Sequence, residues 1–596
     1  MKKVPYLLIL FFCNVSAQLT VRNNHYIFVK DQVLFVNDNV NLQESDAKMY
    51  LRDDAQLVQG TGVTGNSGEG QLSVYQNGTT HNYAYNYWCS PVGNNSLSFG
   101  NENFSVNLLD DATGLISSTD AAFTSYDGFS SPLTIARYWI YTFENASSYS
   151  QWMYKADTGA IAPGLGFTMK GTSDSSNNQL YDFRGKANNG TITNSVASSQ
   201  WTLVGNPYPS ALDAVAYIHD TDNQNAITGT LYYWEQDLSV MSHNVADYVG
   251  GYATYTINAA GTLETFIPAT FDTYNSDGTL NTTGNTSTSS KRARRYIPVG
   301  QGFMVEGSST TSGVVQSKNT HRVYYKQSNI DSEFFRSTDV NDVGLIENSQ
   351  TANNHENTNS YYGVIPPEYK RFRLNIDFNN TYTRQLVQTF HDTEATAGFD
   401  YGLESKSPLG VASDAFWIIN EEPYIAQALP YNIEMTIPLH INVAQNTTVR
   451  IRTFDVQNFS ANQAIYIHDK QLNQYHDISN GFFEIALSQG EYTDRFEVTF
   501  LADNNVLGFE QYEIENLLVL QDKERQQLIV QNPNLLHIES IQLYDMLGRK
   551  VLDNKGLKKH DKYIVDTTPF NEGVYIVKII AKNHKEYSKK VIIKRQ

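Results

Sequence analysis

Aromatic side chains are the residues of this sequence whose type and spacing best suit chemistry, in this case the binding of a ligand by ring stacking. Ten of them fall at short intervals between residues 83 and 234: Tyr83, Tyr85, Tyr87, Trp88, Tyr138, Trp139, Trp152, Tyr232, Tyr233 and Trp234. If exposed together, they would form a platform for sugar rings. Aromatic residues at alternate strand positions more often pack in a core on one face and pair across strands on the other. We therefore favour core packing and keep the sugar platform as the alternative.

Motifs of catalytic or cofactor sites are absent from the sequence. It contains no G-x-S-x-G nucleophile elbow, no H-E-x-x-H zinc motif and no phosphate-binding P-loop. Glycosidases need only two carboxylates that the fold brings together, and such a pair leaves no local motif. We therefore predict no catalytic residue, no cofactor and no metal ion, and the sequence leaves enzymatic activity undecided.

One segment has the side chains of a calcium loop. Residues 220–225, DTDNQN, alternate oxygen-bearing side chains of the kind that Ca²⁺ favours. The segment lacks the central glycine and the distal bidentate glutamate of an EF-hand loop. A polar hairpin turn is the interpretation that we favour.

The first 17 residues have the pattern of a secretory signal peptide. Lys2 and Lys3 precede an apolar run, which ends in the small residues Ser16 and Ala17. Cleavage is expected between Ala17 and Gln18, and a buried first strand is the alternative. No later apolar run reaches the ~20 residues that cross a bilayer as a helix. We therefore predict no transmembrane segment in the mature chain.

Loss of the signal peptide would leave one cysteine. Cys13 would be removed with it, so Cys89 could form no disulfide within the mature chain. No charged neighbour in the sequence would lower the pKa of its thiol. We predict that Cys89 is buried as a small apolar residue.

Charge is distributed unevenly along the chain. The whole sequence has a formal net charge of -19, yet residues 555–596 carry 11 Lys and Arg against four Asp and Glu. Nucleic acids require a basic protein face. The acidic body therefore predicts no nucleic-acid binding.

Composition and patterning predict an all-β, multidomain protein. Aromatic residues are 12% and charged residues 18% of the chain, which favours strands with half-buried faces. Seven alternating apolar runs between residues 371 and 501 predict the strands of a β-sandwich. The predicted regions are a signal peptide (1–17), a β-solenoid or meander (18–80), two β repeat units (81–197 and 198–327), the β-sandwich (328–505) and a small Ig-like β-sandwich (506–596).

The two repeat units are predicted from an internal duplication. PGLGFTMKG at 163–171 resembles PVGQGFMVEG at 298–307, and Gly166 and Gly302 align 136 residues apart. An aromatic-to-proline element precedes each copy, YWCSPVG at 87–93 and LVGNPYPS at 203–210. We predict that both units have one fold, in which a positive φ or a close chain approach requires glycine at the two aligned positions.

Three segments near the C-terminus resemble a known sorting domain. They are IQLYDMLGRKV at 541–551, GVYIVKI at 573–579 and KKVIIK at 589–594. Together they resemble the C-terminal domain of proteins exported by the type IX secretion system across Gram-negative outer membranes. The Y-P-N-P box that often opens such domains is missing, so an anchored and a released product both stay open.

This resemblance implies a route through the periplasm and docking on the outer-membrane type IX machinery, followed by removal of the domain. The residues that would carry the sorting signal are Tyr544, Asp545, Gly548, Gly573, Tyr575, Val577, Lys589, Lys590 and Lys594. The body also resembles large uncharacterised regions that accompany such tails, on the elements at 87–93, 203–210, 300–303 and 395–400. That second resemblance implies no activity.

The sequence thus predicts a secreted or cell-surface, β-rich, adhesin-like binding protein, with surface glycans or proteins as candidate partners. One alternative is a carbohydrate-binding or carbohydrate-active surface protein. Another is a structural component of a surface layer.

Overall fold

Strands make up 52% of the protein and helices 5%, which confirms the predicted all-β, multidomain fold class. The computed structural model describes residues 19–62, 65–173, 178–281, 291–328, 331–332, 362–408, 411–502, 517–523, 525–532, 535, 537–581 and 586–595. The predicted cleavage site at Ala17 and Gln18 lies outside these residues. The chain divides into two compact units, one ending at Leu501 and the other starting at Ala502.

Residues 19–59 form two coils of parallel strands. The pairs are Leu19–Val21 with Val40–Leu42, Tyr26–Lys30 with Lys48–Arg52, and Val33–Val36 with Gln56–Gln59. In each pair the chain returns to the same place after 21 to 23 residues, as in a β-solenoid. A meander would pair its strands antiparallel. Both arrangements share the same alternation of side chains, so the sequence alone could not separate them.

Residues much later in the chain hold these coils in place. The Asn319 side-chain amide donates to the Gly60 carbonyl at 2.8 Å, and the Tyr324 hydroxyl donates to the Asp31 carbonyl at 2.8 Å. The N-terminal coils are therefore one structure with the repeats that follow them.

The first repeat consists of three sheets. The seven-stranded sheet has the order Ser118–Asp120, Leu109–Ala112, Asn178–Ala187, Gln71–Thr79, Lys48–Arg52, Tyr26–Lys30, with Val92–Gly93 paired to Asn178–Ala187. The two four-stranded sheets have the orders Met153–Tyr154, Tyr141–Thr142, Gly166–Lys170, Tyr85–Cys89 and Ala122–Thr124, Leu133–Ala136, Gly128–Ser130, Thr172–Ser173. Short 3-10 turns occur at Val106–Leu108, Arg137–Trp139 and Tyr149–Gln151.

The second repeat also consists of three sheets. The six-stranded sheet has the order Trp201–Gly205, Gly302–Gly307, Ile227–Gln236, Val249–Ile257, Glu264–Ile267, with Asp272–Thr273 paired to Val249–Ile257. The smaller sheets are Ile192–Val196 with Gly313–Ser317, and Tyr296–Ile297, Ala211–Asp213, Arg322–Val323. The helices Ala214–Ile218 and Thr221–Ala226 and the 3-10 turns Val245–Asp247 and Asn319–His321 complete this repeat.

One sheet of each repeat has the same order of four strands and the same register. Cys89 pairs with Gly166 and Tyr141 with Thr168 in the first, as Gly205 pairs with Gly302 and Tyr232 with Met304 in the second. The pairing of Lys186 with Gly93 likewise has its counterpart in the pairing of Arg322 with Leu212. Strand Ile192–Val196, which the sequence placed in the first unit, pairs with Gly313–Ser317 of the second. The structure thus supports the prediction of a common fold.

The third region is a single curved sheet that is nearly a barrel and resembles a sandwich. Its strand order is Gln474–Asp477, Tyr466–Asp469, Gly490–Thr499, Thr436–Val443, Asp414–Ile419, Glu422–Leu429, Tyr382–Phe390, Lys370–Phe378, Thr447–Gln457, Phe482–Leu487, with Ser405–Lys406 paired to Glu422–Leu429. All seven strands predicted here are present. Alternate residues such as Phe372, Leu374 and Ile376 are fully buried inside the sheet.

The C-terminal unit is a small two-sheet sandwich. One sheet has the order Leu518–Asp522, Gln527–Gln531, Lys562–Asp566, and the other Lys550–Lys555, Ile538–Asp545, Gly573–Ala581, Glu586–Ile593. Inward-facing residues such as Leu528, Leu543 and Ile593 form its core.

Candidate ligand-binding cavity

A cavity of about 580 Å³ lies where the two repeats meet, and aromatic side chains line most of it. The aromatic lining residues are Tyr85, Tyr87, Tyr138, Trp139, Tyr141, Phe143, Tyr149, Trp152, Trp201, Trp234, Tyr248, Tyr252 and Tyr274. The others are Ser147, Ser148, Ser150, Thr168, Ser199, His243, Asn244, Val245, Gly278 and Met304. Both repeats contribute to the wall.

Strand alternation divides the aromatic residues between this cavity and the core. On Tyr85–Cys89, Tyr85 and Tyr87 face the cavity, while Trp88 faces the opposite way and is fully buried against the ring of Tyr181. On Ile227–Gln236, Trp234 lines the cavity and Tyr233 points into the core of the second repeat.

The back wall of the cavity is a contiguous group of rings. The ring planes of Tyr87 and Trp234 are nearly parallel, 14° apart, with centroids separated by 6.4 Å. Trp152 meets Tyr87 edge to face at 6.0 Å, and the hydroxyls of Tyr87 and Tyr252 are 2.9 Å apart. Within the part of the chain that the structure describes, the buried indole Nε1 of Trp234 has no hydrogen-bond partner. The wall therefore contains one donor that its own surroundings do not satisfy.

Turns rather than strands form the rim. The side-chain oxygen of Gln151 accepts from the backbone N–H groups of Ser147 and Ser148 at 2.8 and 2.9 Å, which fixes the 3-10 turn Tyr149–Gln151. The Tyr149 ring lies on the opposing turn at Gly278, where a Cβ atom would be 2.1 Å from it. Gly278 also has a φ of +80°, so glycine is required there on both counts.

Lys170 is buried directly behind the wall. Its Nζ lies 3.6 Å from the centroid of the Trp139 ring, donates to the Tyr248 hydroxyl at 2.7 Å and is 3.0 Å from His243 Nδ1. The other ring nitrogen of His243 is 2.9 Å from the Asp127 carboxylate. Burial, the main cause, lowers the pKa of Lys170 to about 7.

The aromatic residues predicted from the sequence include part of this site. Six of the ten predicted aromatic residues line the cavity: Tyr85, Tyr87, Tyr138, Trp139, Trp152 and Trp234. Trp88, Tyr232 and Tyr233 are core residues, and Tyr83 packs beside the site on His243. The sequence missed rings such as Trp201 and Tyr252 because their neighbours in sequence gave no sign of a shared surface.

Cys89 and the 220–225 segment were also the subject of predictions. Cys89 is fully buried, as predicted, and burial raises the pKa of its thiol. The 220–225 segment is a helix start and not the expected hairpin turn, because Asp220 accepts from the Asp222 backbone N–H as its N-cap. Lys318 Nζ is 2.8 Å from the Asp220 carboxylate and 2.7 Å from that of Asp222, so an ammonium group neutralises these carboxylates.

The residues of the implied sorting signal occupy three kinds of position in the C-terminal unit. Tyr575 and Val577 are buried in its core, whereas Lys589, Lys590 and Lys594 are exposed. Gly573 starts its strand, and the remaining signal residues Tyr544, Asp545 and Gly548 belong to the hairpin between Ile538–Asp545 and Lys550–Lys555.

The hairpin presents two apolar side chains. Asp545 accepts from the backbone N–H groups of Leu547 and Arg549 at 3.0 and 2.9 Å and pairs with the Arg549 guanidinium at 2.8 Å. Gly548 supplies the left-handed conformation with a φ of +76°. Met546 and Leu547 are held at the tip, 65% and 80% exposed.

The fold defines a multidomain β protein with a cavity lined by aromatic side chains. The chain belongs to the family described as Domain of unknown function (DUF8693), whose model matches residues 114–500, and a second model, Domain of unknown function (DUF8694), matches residues 507–593. A comparison with curated proteins found no match.

Two solved structures are weakly similar to this chain. The 47-kilodalton lipoprotein Tp47 of Treponema pallidum has 8% identity and a TM-score of 0.12, over 65% of this chain and 92% of that chain. The BSP domain of a biofilm associated protein has 8% identity and a TM-score of 0.12, over 88% of this chain and 96% of that chain. Similarity at this level bears on neither fold nor function.

Among the residues that the structure describes, no helix is both long and apolar enough to cross a bilayer. No group of three His, Cys, Asp or Glu side chains in the same residues could hold a metal ion.

Proposed function

We propose that this chain is an exported, β-rich binding protein, presented at the cell surface or released, whose ligand site is the cavity between the two repeats. The observation that carries the proposal is the cavity wall itself: rings supply most of the surface and hydroxyl groups stand at the rim. Ligand sites of proteins combine apolar walls with a few placed polar groups in this way.

The wall favours binding over turnover. No Asp or Glu is among the described residues that line the cavity. Glycoside hydrolysis requires two carboxyl groups about 5 to 9.5 Å apart across the scissile bond. The enzymatic alternative therefore has no support at this site, whereas the adhesin-like interpretation requires only a ligand.

Retention on an array tests the binding proposal. The full mature chain is applied to immobilised glycans and extracellular proteins, beside a Trp152→Ala variant. We expect specific retention that this variant loses, with no release of reducing sugar or peptide. Release of either product would make the protein an enzyme, and retention unchanged in the variant would place the ligand elsewhere.

We also propose that the C-terminal unit directs export by the type IX secretion system. Its resemblance to a sorting domain, its separation as a compact unit and its exposed lysines support this proposal. Glu586–Ile593 is an edge strand of its sheet. An edge strand offers unpaired backbone groups to a partner, and surface lysines accelerate encounter with an acidic one.

Charge reversal tests the export proposal better than truncation does. Deletion of residues 587–596 would remove Tyr587, Val591 and Ile593 from the core and unfold the unit. A Lys589→Glu, Lys590→Glu variant keeps the core, because both side chains are exposed.

The matched control is Lys558→Glu, Lys559→Glu, which reverses two exposed lysines in a loop of the same unit. In the native host we expect the first variant to accumulate in the periplasm as a folded chain, and the control to be exported. Normal surface display or release of both variants would contradict a role for this lysine pair in docking.

A further inference from the structure

We infer that the ligand of the cavity is the uncharged end of an oligosaccharide, held by ring stacking and by hydrogen bonds to hydroxyl groups. This inference rests on the proposal that the cavity binds a ligand, and it adds the chemical class of that ligand.

The absence of charge on the wall is the first argument. None of the described lining residues is an Asp, Glu, Lys or Arg. Burying an ionised ligand group without a countercharge costs more than a stacking contact returns. Lys170, the nearest buried cation, is 1% exposed and lies behind Trp139, so it presents no ammonium group to the cavity. The wall therefore disfavours uronic and sialic acids as well as basic peptides.

The mixture of rings and hydroxyls is the second argument. A pyranose has an apolar C–H face and a hydroxyl-bearing edge, and it needs a partner surface of the same two kinds. Aromatic faces such as those of Trp152 and Trp234 meet the first need, and Ser148, Ser150 and Ser199 meet the second. The hydroxyls of Ser148 and Ser150 bond to each other, and that of Ser148 also donates to Gln151. A wholly apolar ligand would cover the Ser199 hydroxyl without giving it a partner, which costs about 1–3 kcal/mol.

Size and openness agree with a short saccharide. Small-ligand sites commonly measure about 300–1,000 Å³, and this cavity of about 580 Å³ falls within that range. Its rim residue Tyr149 is 46% exposed, so a chain can enter and leave there while only its end is enclosed.

The test is titration calorimetry on the full mature chain with three soluble probes of similar length: a neutral gluco-, manno- or xylo-oligosaccharide series, an oligouronate series, and an aromatic peptide. Three variants accompany the native chain. Tyr149→Ala removes an exposed ring of the rim, and Trp234→Phe replaces an indole of the back wall with a smaller ring. The control Tyr26→Ala removes a tyrosine of similar exposure, 55% against 46% for Tyr149, from the N-terminal coils.

We expect a neutral series to bind, with affinity at least tenfold weaker in Tyr149→Ala and a few-fold weaker in Trp234→Phe, and unchanged in Tyr26→Ala. Tighter binding of oligouronate or peptide, sensitive to Tyr149→Ala, would overturn the sugar class and leave the proposed binding function intact. Binding insensitive to both cavity variants would overturn the site. If a chain shown by its melting temperature to be folded gives no binding heat with any neutral series, the inference is overturned. The array and the fractionation test the proposed function independently of this result.

Discussion

Gly166 and Gly302 occupy equivalent positions in the two repeats, and each packs against a strand of the other repeat. Gly166 contacts Trp201–Gly205, and Gly302 contacts Tyr85–Cys89. A Cβ atom on Gly166 would lie 2.6 Å from Leu203 Cγ and 2.9 Å from the Val204 carbonyl oxygen. A Cβ atom on Gly302 would lie 2.8 Å from the backbone nitrogen of Trp88. The preceding residues form the matching bridges, Leu165 to Val204 and Gln301 to Trp88. The repeats are therefore related by an approximate two-fold axis.

Addition of a methyl group at either glycine should loosen this junction. We expect Gly166→Ala and Gly302→Ala each to destabilise the body by about 1–3 kcal/mol or more, because overpacking against backbone cannot be relieved by a rotamer change. Gly481→Ala is the control, since its nearest atom would be 3.8 Å away. Scanning calorimetry measures the midpoints. Equal midpoints in all three variants would contradict the close approach.

Lys170 gives a pH dependence of known sign. Burial lowers its folded pKa to about 7 from 10.5, so its cost to stability is full below pH 7 and disappears as the pH rises towards 10.5. Lys170→Met should therefore gain most over the native chain at or below pH 7, and this gain should shrink as the pH rises. A tenfold change in proton affinity corresponds to about 1.4 kcal/mol, so we expect a difference of a few kcal/mol across the window. Melting midpoints of both proteins at pH 6 to 10 provide the measurement, and a constant gain would contradict the low pKa.

Glu404 gives the opposite dependence. Its carboxylate accepts from the backbone N–H groups of Ala428 and Asp400 at 3.0 Å each. Burial raises its pKa to about 8 from 4.5, so the cost of its charge is absent below pH 4.5 and full above pH 8. The stability of Glu404→Gln relative to the native chain should rise with pH between these values. Melting midpoints of the two proteins are measured from pH 5 to 8. A difference between them that does not change with pH would contradict the raised pKa.

The exposed tip of the C-terminal hairpin offers a further test of export. Leu547→Ser removes an 80% exposed apolar side chain that the Asp545 turn holds in place. If the outer-membrane machinery contacts this tip, the variant should accumulate in the periplasm of the native host. Ile564→Ser is the matched control, because it removes a 54% exposed side chain from the other sheet. Equal export of both variants would exclude the hairpin tip from docking.

Local patterns predicted much of the fold. The alternation in MTIPLHINV at 435–443 indicated a strand, and Thr436–Val443 is one. The duplication was visible because close chain approach leaves glycine as the only residue that fits at positions 166 and 302. Of the two alternatives predicted for these glycines, the structure shows the close approach, and positive φ occurs two residues earlier in each repeat, at Gly164 and Gly300.

The sequence predicted only some of the cavity's aromatic residues, because no local pattern encodes the cavity as a whole. Its wall combines strand residues such as Tyr87 and Tyr252 with residues of irregular turns such as Tyr138 and Tyr149. A turn has no periodicity from which the direction of a side chain can be inferred. The alternation that favoured core packing was correct for Trp88, and the opposite face of the same strand lines the site.

The N-terminal coils are attached to residues 319–328, which lie far from them in sequence. Asp54 accepts from the Ser328 backbone at 3.2 Å, across 274 residues of chain, and Asn319 reaches back to Gly60. Contacts of such high sequence separation form late, since the entropy of closing the loop is lost before the contact repays it. The strand Lys48–Arg52 can pair early with Gln71–Thr79, but the bond from Asn319 to Gly60 forms only after 259 further residues have emerged. We expect this junction of the nascent chain to stay accessible to chaperones and proteases until then.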